Sequence, residues 1–197
     1  MIAAARLPDK PTGPRPQVRS GPSPGEAPAA APATPASPRK PTFGREGTPR
    51  QRCEALTKAL GTALRDGETE ADPQWLTRVQ SVHEGLREFT EVHRNATLYL
   101  LLQHAAHSNE QYSCHHAMLC NVICEAVAKA LGWLPEARQR IGLAALSMNV
   151  SMTQLQDQLA MRDDPLRPIH KQQLASHSQR SADLLVNAGL EDERLLT

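Results

Sequence analysis

Histidine and cysteine side chains cluster in the middle of the chain. Cys114, His115 and His116 are consecutive, and Cys120 and Cys124 follow at intervals of four residues from His116. Residues four apart lie on one face of a helix, so this face would present ligand types that zinc prefers. Free cysteine is also a common core residue, and the same face overlaps an apolar stripe. A zinc site and a packing role both stay open, and packing is the more common of the two.

Two adjacent carboxylates, Asp163 and Asp164, precede Pro165 in a predicted loop. They are candidate ligands for a hard cation, although Asp-Asp-Pro is more commonly a solvated turn. The sequence has no glycine-rich phosphate loop, no nucleophile-elbow serine and no CxxC pair. With only two Phe and two Tyr, it lacks platforms on which single-stranded nucleic acid stacks. A nucleic-acid partner is therefore not expected.

Helical periodicity dominates from residue 50 onward, and strand-like alternation is absent. Helices are predicted over 50–65, from Asp72-Pro73 towards Phe89, over 108–131, from Pro135, from 151 and over 168–188, and a further apolar stretch covers 97–106. Ser108 to Gln111 and Ser151 to Gln154 have the spacing of capping boxes. For the helix over 108–131 we predict a buried stripe of Leu119, Val122, Ile123, Ala126, Val127 and Ala130. The expected fold is an all-α bundle of about six helices.

The first fifty residues differ in composition from the rest of the chain. They hold twelve of the sixteen prolines and carry eight Lys/Arg against three Asp/Glu, a net charge of +5, whereas residues 51–197 carry −4. With few large apolar residues to bury, residues 1–50 are predicted to be a disordered, proline-rich tail. No leader sequence or membrane span is recognised, so a cytoplasmic location with four free thiols is expected.

Three stretches of the second half together resemble the HD-GYP family of metal-dependent phosphohydrolases, over about residues 97–197. The stretch HAMLCNVICEAVAKALGW, from His116, resembles the family's first helix with its Leu-Gly ending. PEARQRIGLAAL resembles the second helix, which leads into a sequence of the type AALLHDIGK. His177, in LASHSQRSADLL, occupies the place of a further family histidine. The resemblance implies an HD-domain-like bundle that uses iron, manganese or magnesium to hydrolyse cyclic di-GMP.

The chain departs from the family at the motif that holds the metals. AALSMNVSM places Met148 and Asn149 where the family has its His-Asp pair, Ser151 at the motif glycine and Met152 at a basic residue. Asn149 is neutral, and a thioether is a poor ligand for hard cations. The resemblance leaves His116 and His177 as the remaining candidate metal ligands.

The departures favour a catalytically degenerate domain over an enzyme. The sequence therefore predicts a regulatory or protein-interaction module in bacterial signalling, with no cofactor and with a protein partner or a cyclic dinucleotide as its ligand. The alternative is a phosphohydrolase with residual activity, which would need one of the divalent metals named above.

Overall fold

A computed structural model describes residues 47–190, which form six α-helices and one short 3-10 turn. The helices are α1 (Pro49–Glu68), α2 (Trp75–His107), α3 (Tyr112–Ala130), α4 (Pro135–Ser147), α5 (Thr153–Ala160) and α6 (Pro168–Asn187). The 3-10 turn, Val150–Met152, lies between α4 and α5. No β-strand occurs between residues 47 and 190, which confirms the predicted all-α class. Of the predicted disordered tail, residues 1–46 lie outside the described part of the chain.

Helix α1 begins with a capping box that the sequence analysis missed. Thr48 Oγ1 accepts a hydrogen bond from the Gln51 amide, and the Thr48 amide donates to Gln51 Oε1. The helix continues past its predicted end at Asp66-Gly67, because Gly67 is buried against the next helix. A Cβ on Gly67 would lie 2.7 Å from two ring carbons of Trp75. Gly67 thus permits a close approach between α1 and α2 and does not end the helix.

Helix α2 starts two residues later than predicted and contains a kink. Asp72 Oδ1 accepts a bond from the Gln74 amide at 2.8 Å, so Asp72 caps the turn that leads into the helix. The two apolar stretches predicted as separate elements form one helix, with non-helical angles at His93. Thr97 Oγ1 donates to the His93 carbonyl at 3.0 Å, a back-bond of the kind that bends helices.

The apolar faces of α1 and α2 form much of the core. Leu56, Leu60 and Leu64, predicted to share one face of α1, are all buried. The predicted apolar residues of α2 are buried as well, namely Trp75, Leu76, Val79, Val82, Leu86 and Phe89. The apolar residues that the sequence pattern identified on each helix are therefore part of the core.

The predicted buried stripe of α3 is wrong apart from Val122. Ile123 and Val127 are 46% and 52% exposed, Ala126 and Ala130 are exposed, and Leu119 is only half-buried. The buried face consists instead of Ser113, Cys114, Ala117, Met118, Asn121, Val122 and Ala128. Small side chains on this face allow α3 to pack closely against α1, α2, α4 and α5. The larger aliphatic residues are left on the outer side.

Both predicted capping boxes after residue 100 are wrong, because distant carboxylates satisfy the helix amides. The Ser113 amide, at the start of α3, donates to Asp157 Oδ1 of α5 at 2.8 Å. The Gln154 amide, at the start of α5, donates to Glu68 Oε2 of α1 at 3.0 Å. Burial raises the pKa of Glu68, although its bond to Gln154 works in the opposite direction. These bonds join α1 to α5 and α5 to α3.

Several helix ends agree with the sequence prediction. Pro135 and Pro168 occupy the first positions of α4 and α6, where the missing N–H costs nothing. Gly132 and Gly189 follow α3 and α6 with φ angles of 74° and 86°, which glycine adopts without strain. Within residues 47–190, no helix is both long enough and apolar enough to cross a membrane.

Candidate functional site

Residues 148–152, which the sequence analysis predicted to correspond to the His-Asp motif and which we call the motif segment, run from the end of α4 through the 3-10 turn. Met148 caps the end of α4 and is 37% exposed, and Asn149 is half-buried. The Asn149 carbonyl accepts a bond from the Met152 amide, which closes the turn. Met152 is buried and leads into α5. The motif segment therefore carries an exposed thioether at Met148 and a half-buried neutral amide at Asn149.

Ser151 joins this segment to α6. Its hydroxyl donates to the His177 carbonyl at 2.9 Å and accepts from Ser181 Oγ at 3.0 Å. The Ser151 amide also lies 3.2 Å from Ser181 Oγ. Both serines are buried, so these bonds are shielded from competing water. The motif segment thus serves as the attachment point of α6.

The two candidate histidines make contacts within their own helices. His116 stacks on Tyr112 with ring centroids 5.5 Å apart, and its Nε2 lies 3.7 Å from Cys120 Sγ. His177 Nδ1 donates to the Leu174 carbonyl at 2.6 Å. Within residues 47–190, no three His, Cys, Asp or Glu side chains converge as metal ligands would. The proposed zinc face of His116, Cys120 and Cys124 is therefore not assembled as a three-ligand site.

The four cysteines are free thiols in two different environments. Cys53 and Cys114 are buried, and desolvation raises the pKa of each to about 11. Cys120 and Cys124 are half-buried on α3, and burial raises the pKa of Cys120 as well. Raised pKa values keep thiols protonated near neutral pH, which disfavours both metal binding and nucleophilic attack.

The carboxylates Asp163 and Asp164 lie in the exposed loop between α5 and α6. Asp164 pairs with Arg162, and this hydrogen bond lowers the pKa of the Asp164 carboxyl. Asp163 is exposed. The pair occupies a solvated turn and faces no other candidate ligand group within residues 47–190.

A buried polar cluster, which the sequence analysis missed, joins α2, α3 and α4. The His83 side chain is 3% exposed, and its Nε2 lies 2.7 Å from Glu125 Oε1, so the ring N–H donates to the carboxylate. Arg87 Nε lies 3.5 Å from the other carboxylate oxygen. Asn121 Nδ2 donates to the Gly142 carbonyl at 2.7 Å. In the sequence, the sign of this cluster was the charged Glu125 within a largely apolar stretch.

The polar cluster forms one wall of a cavity of about 500 Å³ between α2, α3 and α4. Four cationic side chains line the cavity: Arg87, Arg94, Lys129 and Arg138. The carboxylates of Glu91 and Glu125 also line it, which leaves a net charge of +2. This volume lies within the range of ligand-binding pockets. Neither the motif segment nor His116 and His177 line this cavity.

Comparison of the chain with family models, curated proteins and solved structures gave no match.

Two imidazoles stack where α2 approaches the start of α3. The rings of His104 and His115 lie 4.2 Å apart and nearly parallel. Burial, followed by repulsion from His104, lowers the pKa of His115 below its usual 6.5. The folded protein therefore favours neutral His115, whereas the unfolded chain binds a proton there at higher pH. The stack contributes its full stability above pH 6.5.

Acidification below pH 6.5 is expected to destabilise the protein less when His115 is replaced by glutamine. The unfolded wild-type chain gains a proton at this site before the folded chain does, and H115Q removes that difference. Urea unfolding at pH 7.5 and 5.5 measures the loss for each variant. H107Q is the control, because His107 is exposed and outside the stack. Equal losses in wild type, H115Q and H107Q would contradict the assignment.

Proposed function

We propose that residues 51–197 form a catalytically degenerate HD-GYP-like domain that acts as a regulatory or protein-interaction module. The observation that carries this proposal is the use of the motif segment as a helix junction. The buried Ser151 hydroxyl is bonded to the buried Ser181 hydroxyl and to the His177 carbonyl. Met148 and Asn149 supply no carboxylate or imidazole that could bridge two cations. The motif segment stabilises the helical bundle and lacks the carboxylate and imidazole ligands that metal-dependent hydrolysis needs.

Exposed apolar side chains on α3 and the loop after it support the interaction part of the proposal. Ile123 and Val127 are spaced one turn apart, and Leu131, Trp133 and Leu134 continue the surface, with exposed fractions between 45% and 71%. Large apolar side chains grouped in this way on a surface mark contact sites for other molecules. The expected partner is a protein, and the expected setting is bacterial signalling in the cytoplasm.

The proposal predicts that the full chain does not hydrolyse cyclic di-GMP. No turnover above the rate without protein is expected when iron, manganese or magnesium is added, because the bridging carboxylate is missing. Chromatographic detection of the linear dinucleotide measures this, and metal analysis of the purified protein gives the bound stoichiometry.

Metal-dependent hydrolysis that disappears in H116A or H177A would overturn the proposal in favour of a residual phosphohydrolase. The matched control is H107Q, which changes an exposed histidine away from the motif segment. Metal-dependent hydrolysis that survives these substitutions and stays with the protein on repeated purification would also contradict the proposal.

A further inference from the structure

The cavity between α2, α3 and α4 carries positive charge on a domain whose net charge is negative. Residues 51–197 have a formal charge of −4, yet the cavity is lined by four cations and two carboxylates. One of these carboxylates, Glu125, is already engaged by His83 and Arg87. The cavity is therefore positively charged, whereas the domain as a whole is negatively charged. The average composition of the domain does not explain this difference.

Three of the cations have no carboxylate partner within residues 47–190. No ion pair joins Arg94, Lys129 or Arg138 to an acidic side chain in this part of the chain. The side chains of Arg94 and Lys129 are exposed, so they can change conformation to reach a ligand. Arg87 and Arg94 lie about two helical turns apart on α2 and so reach the cavity from the same face. Lys129 and Arg138 approach from α3 and α4. Four cations that share a cavity with only two carboxylates favour an anionic ligand.

Two polar atoms on the cavity wall lack hydrogen-bond partners. Thr90 Oγ1 and Arg138 Nε are buried and make no hydrogen bond within residues 47–190. An unsatisfied buried polar group destabilises the fold, so such a group calls for an explanation such as a functional role. Both belong to residues that line the cavity, and neither belongs to the polar cluster. Both atoms are shielded from solvent, so a ligand would contact them only after these two side chains turn towards the cavity.

The remaining wall is apolar. Leu98, Val122 and Ala126 line the cavity beside the cations. A free inorganic anion would leave this surface unused, whereas a phosphate ester with a ring-bearing body would contact both parts. The kink at His93 lies in the stretch of α2 between Arg87 and Leu98, so the bend shapes this wall. A volume of about 500 Å³ accommodates a ligand of nucleoside monophosphate size.

We propose that this cavity binds a small phosphate monoester with a ring-bearing body, with Arg94, Lys129 and Arg138 contacting the phosphate. Arg87 stays paired with Glu125 and fixes one side of the pocket. The polar cluster beneath it, anchored on Gly142, holds α2, α3 and α4 at the spacing that the pocket requires. The ligand is bound but not chemically converted. The site is separate from the motif segment.

Isothermal titration of the full chain with AMP and with glucose 6-phosphate tests the proposal. At least one ester is expected to bind saturably with a Kd below about 1 mM. Inorganic phosphate should bind more weakly than that ester, because it lacks a body to contact the apolar wall. Adenosine should not bind, because it lacks the phosphate. Absence of saturable binding by both esters, or equal binding of adenosine and AMP, would overturn the proposal.

A charge-reversal pair identifies the site. R94E/K129E is expected to weaken ester binding by about 100-fold or abolish it, since two charge-assisted contacts are lost. Both residues are exposed, so the variant should fold, and circular dichroism checks this. K58E/K171E makes the same change in net charge at exposed positions on α1 and α6, outside the cavity, and should alter the affinity less than twofold. Equal weakening by both pairs, or none by R94E/K129E, would refute the assignment.

Different results would disprove the cavity proposal and the proposed function. Hydrolysis of cyclic di-GMP would overturn the noncatalytic function and leave ester binding in the cavity unaffected. Loss of ester binding would remove the cavity proposal without restoring any metal ligand to the motif segment.

Discussion

Replacing Trp75 with alanine is expected to lower the free energy of unfolding by about 3–5 kcal/mol. The indole is 3% exposed at the start of α2, and Gly67 of α1 packs directly against its ring. Alanine would leave a cavity where α1, α2 and the 3-10 turn meet, because Val150 also lies beside this contact. Urea-induced unfolding followed by circular dichroism gives the value.

The second tryptophan of the chain provides a matched control. Trp133 follows α3 and is 45% exposed, so W133A should change the free energy of unfolding by less than about 0.5 kcal/mol. The single-tryptophan variants also separate the two environments by fluorescence. The protein that retains only Trp133 should be quenched more readily by iodide than the protein that retains only Trp75. Equal destabilisation by W75A and W133A would contradict the packing described here.

Substitution of Gly142 by alanine is expected to destabilise the protein by about 1–3 kcal/mol, despite the higher helix propensity of alanine. A Cβ at this position would lie 2.4 Å from His83 Nε2 and 2.7 Å from Glu125 Oε1. The polar cluster would have to move apart, which disturbs buried hydrogen bonds as well as packing. The midpoint and slope of urea unfolding measure the effect.

A double-mutant cycle with H83A tests the cause of this destabilisation. Removing the imidazole relieves the closest contact, so G142A should cost less in the H83A background than in the wild type. The outcome that rules out steric crowding is a G142A variant as stable as the wild type, or an equal cost in both backgrounds. Ester binding should also weaken in G142A, since the same cluster bounds the cavity.

The fold could be predicted from the sequence wherever one helix face was clearly more apolar than the other. Helix α1 has one clearly apolar face, which carries Leu56, Leu60 and Leu64, and this face is the buried one. Helix α3 offered two apolar sides, and the larger aliphatic residues proved to lie outside. Close packing selected the face with Cys114, Ala117 and Asn121, because small side chains allow neighbouring helices to approach. The spacing of apolar residues does not show which of two apolar faces fits against the neighbouring helices.

The starts of α3 and α5 were harder to predict for a different reason. The sequence suggested local capping boxes, whereas the structure satisfies the amides with Asp157 and Glu68 from other helices. Such partners are brought together only by the tertiary fold. At Thr48 the opposite error occurred, since a local capping box was present and was missed.

The motif segment was proposed as a candidate site from its spacing, and both its role and its resemblance to the HD-GYP motif stay predictions. The role of Ser151 in holding α6 depends on a residue thirty positions away and has no local signature. The cationic cavity combines side chains from three helices, so no single stretch of sequence contains it.

The bond between Glu68 and the start of α5 also bears on the order in which the chain folds. Helix α5 has eight residues, too few to persist alone in water. The amide of its second residue, Gln154, depends on a side chain 86 positions earlier in the chain. We therefore expect α5 to gain stable structure only once the end of α1 lies beside it, and hydrogen exchange of the α5 amides during refolding would measure this.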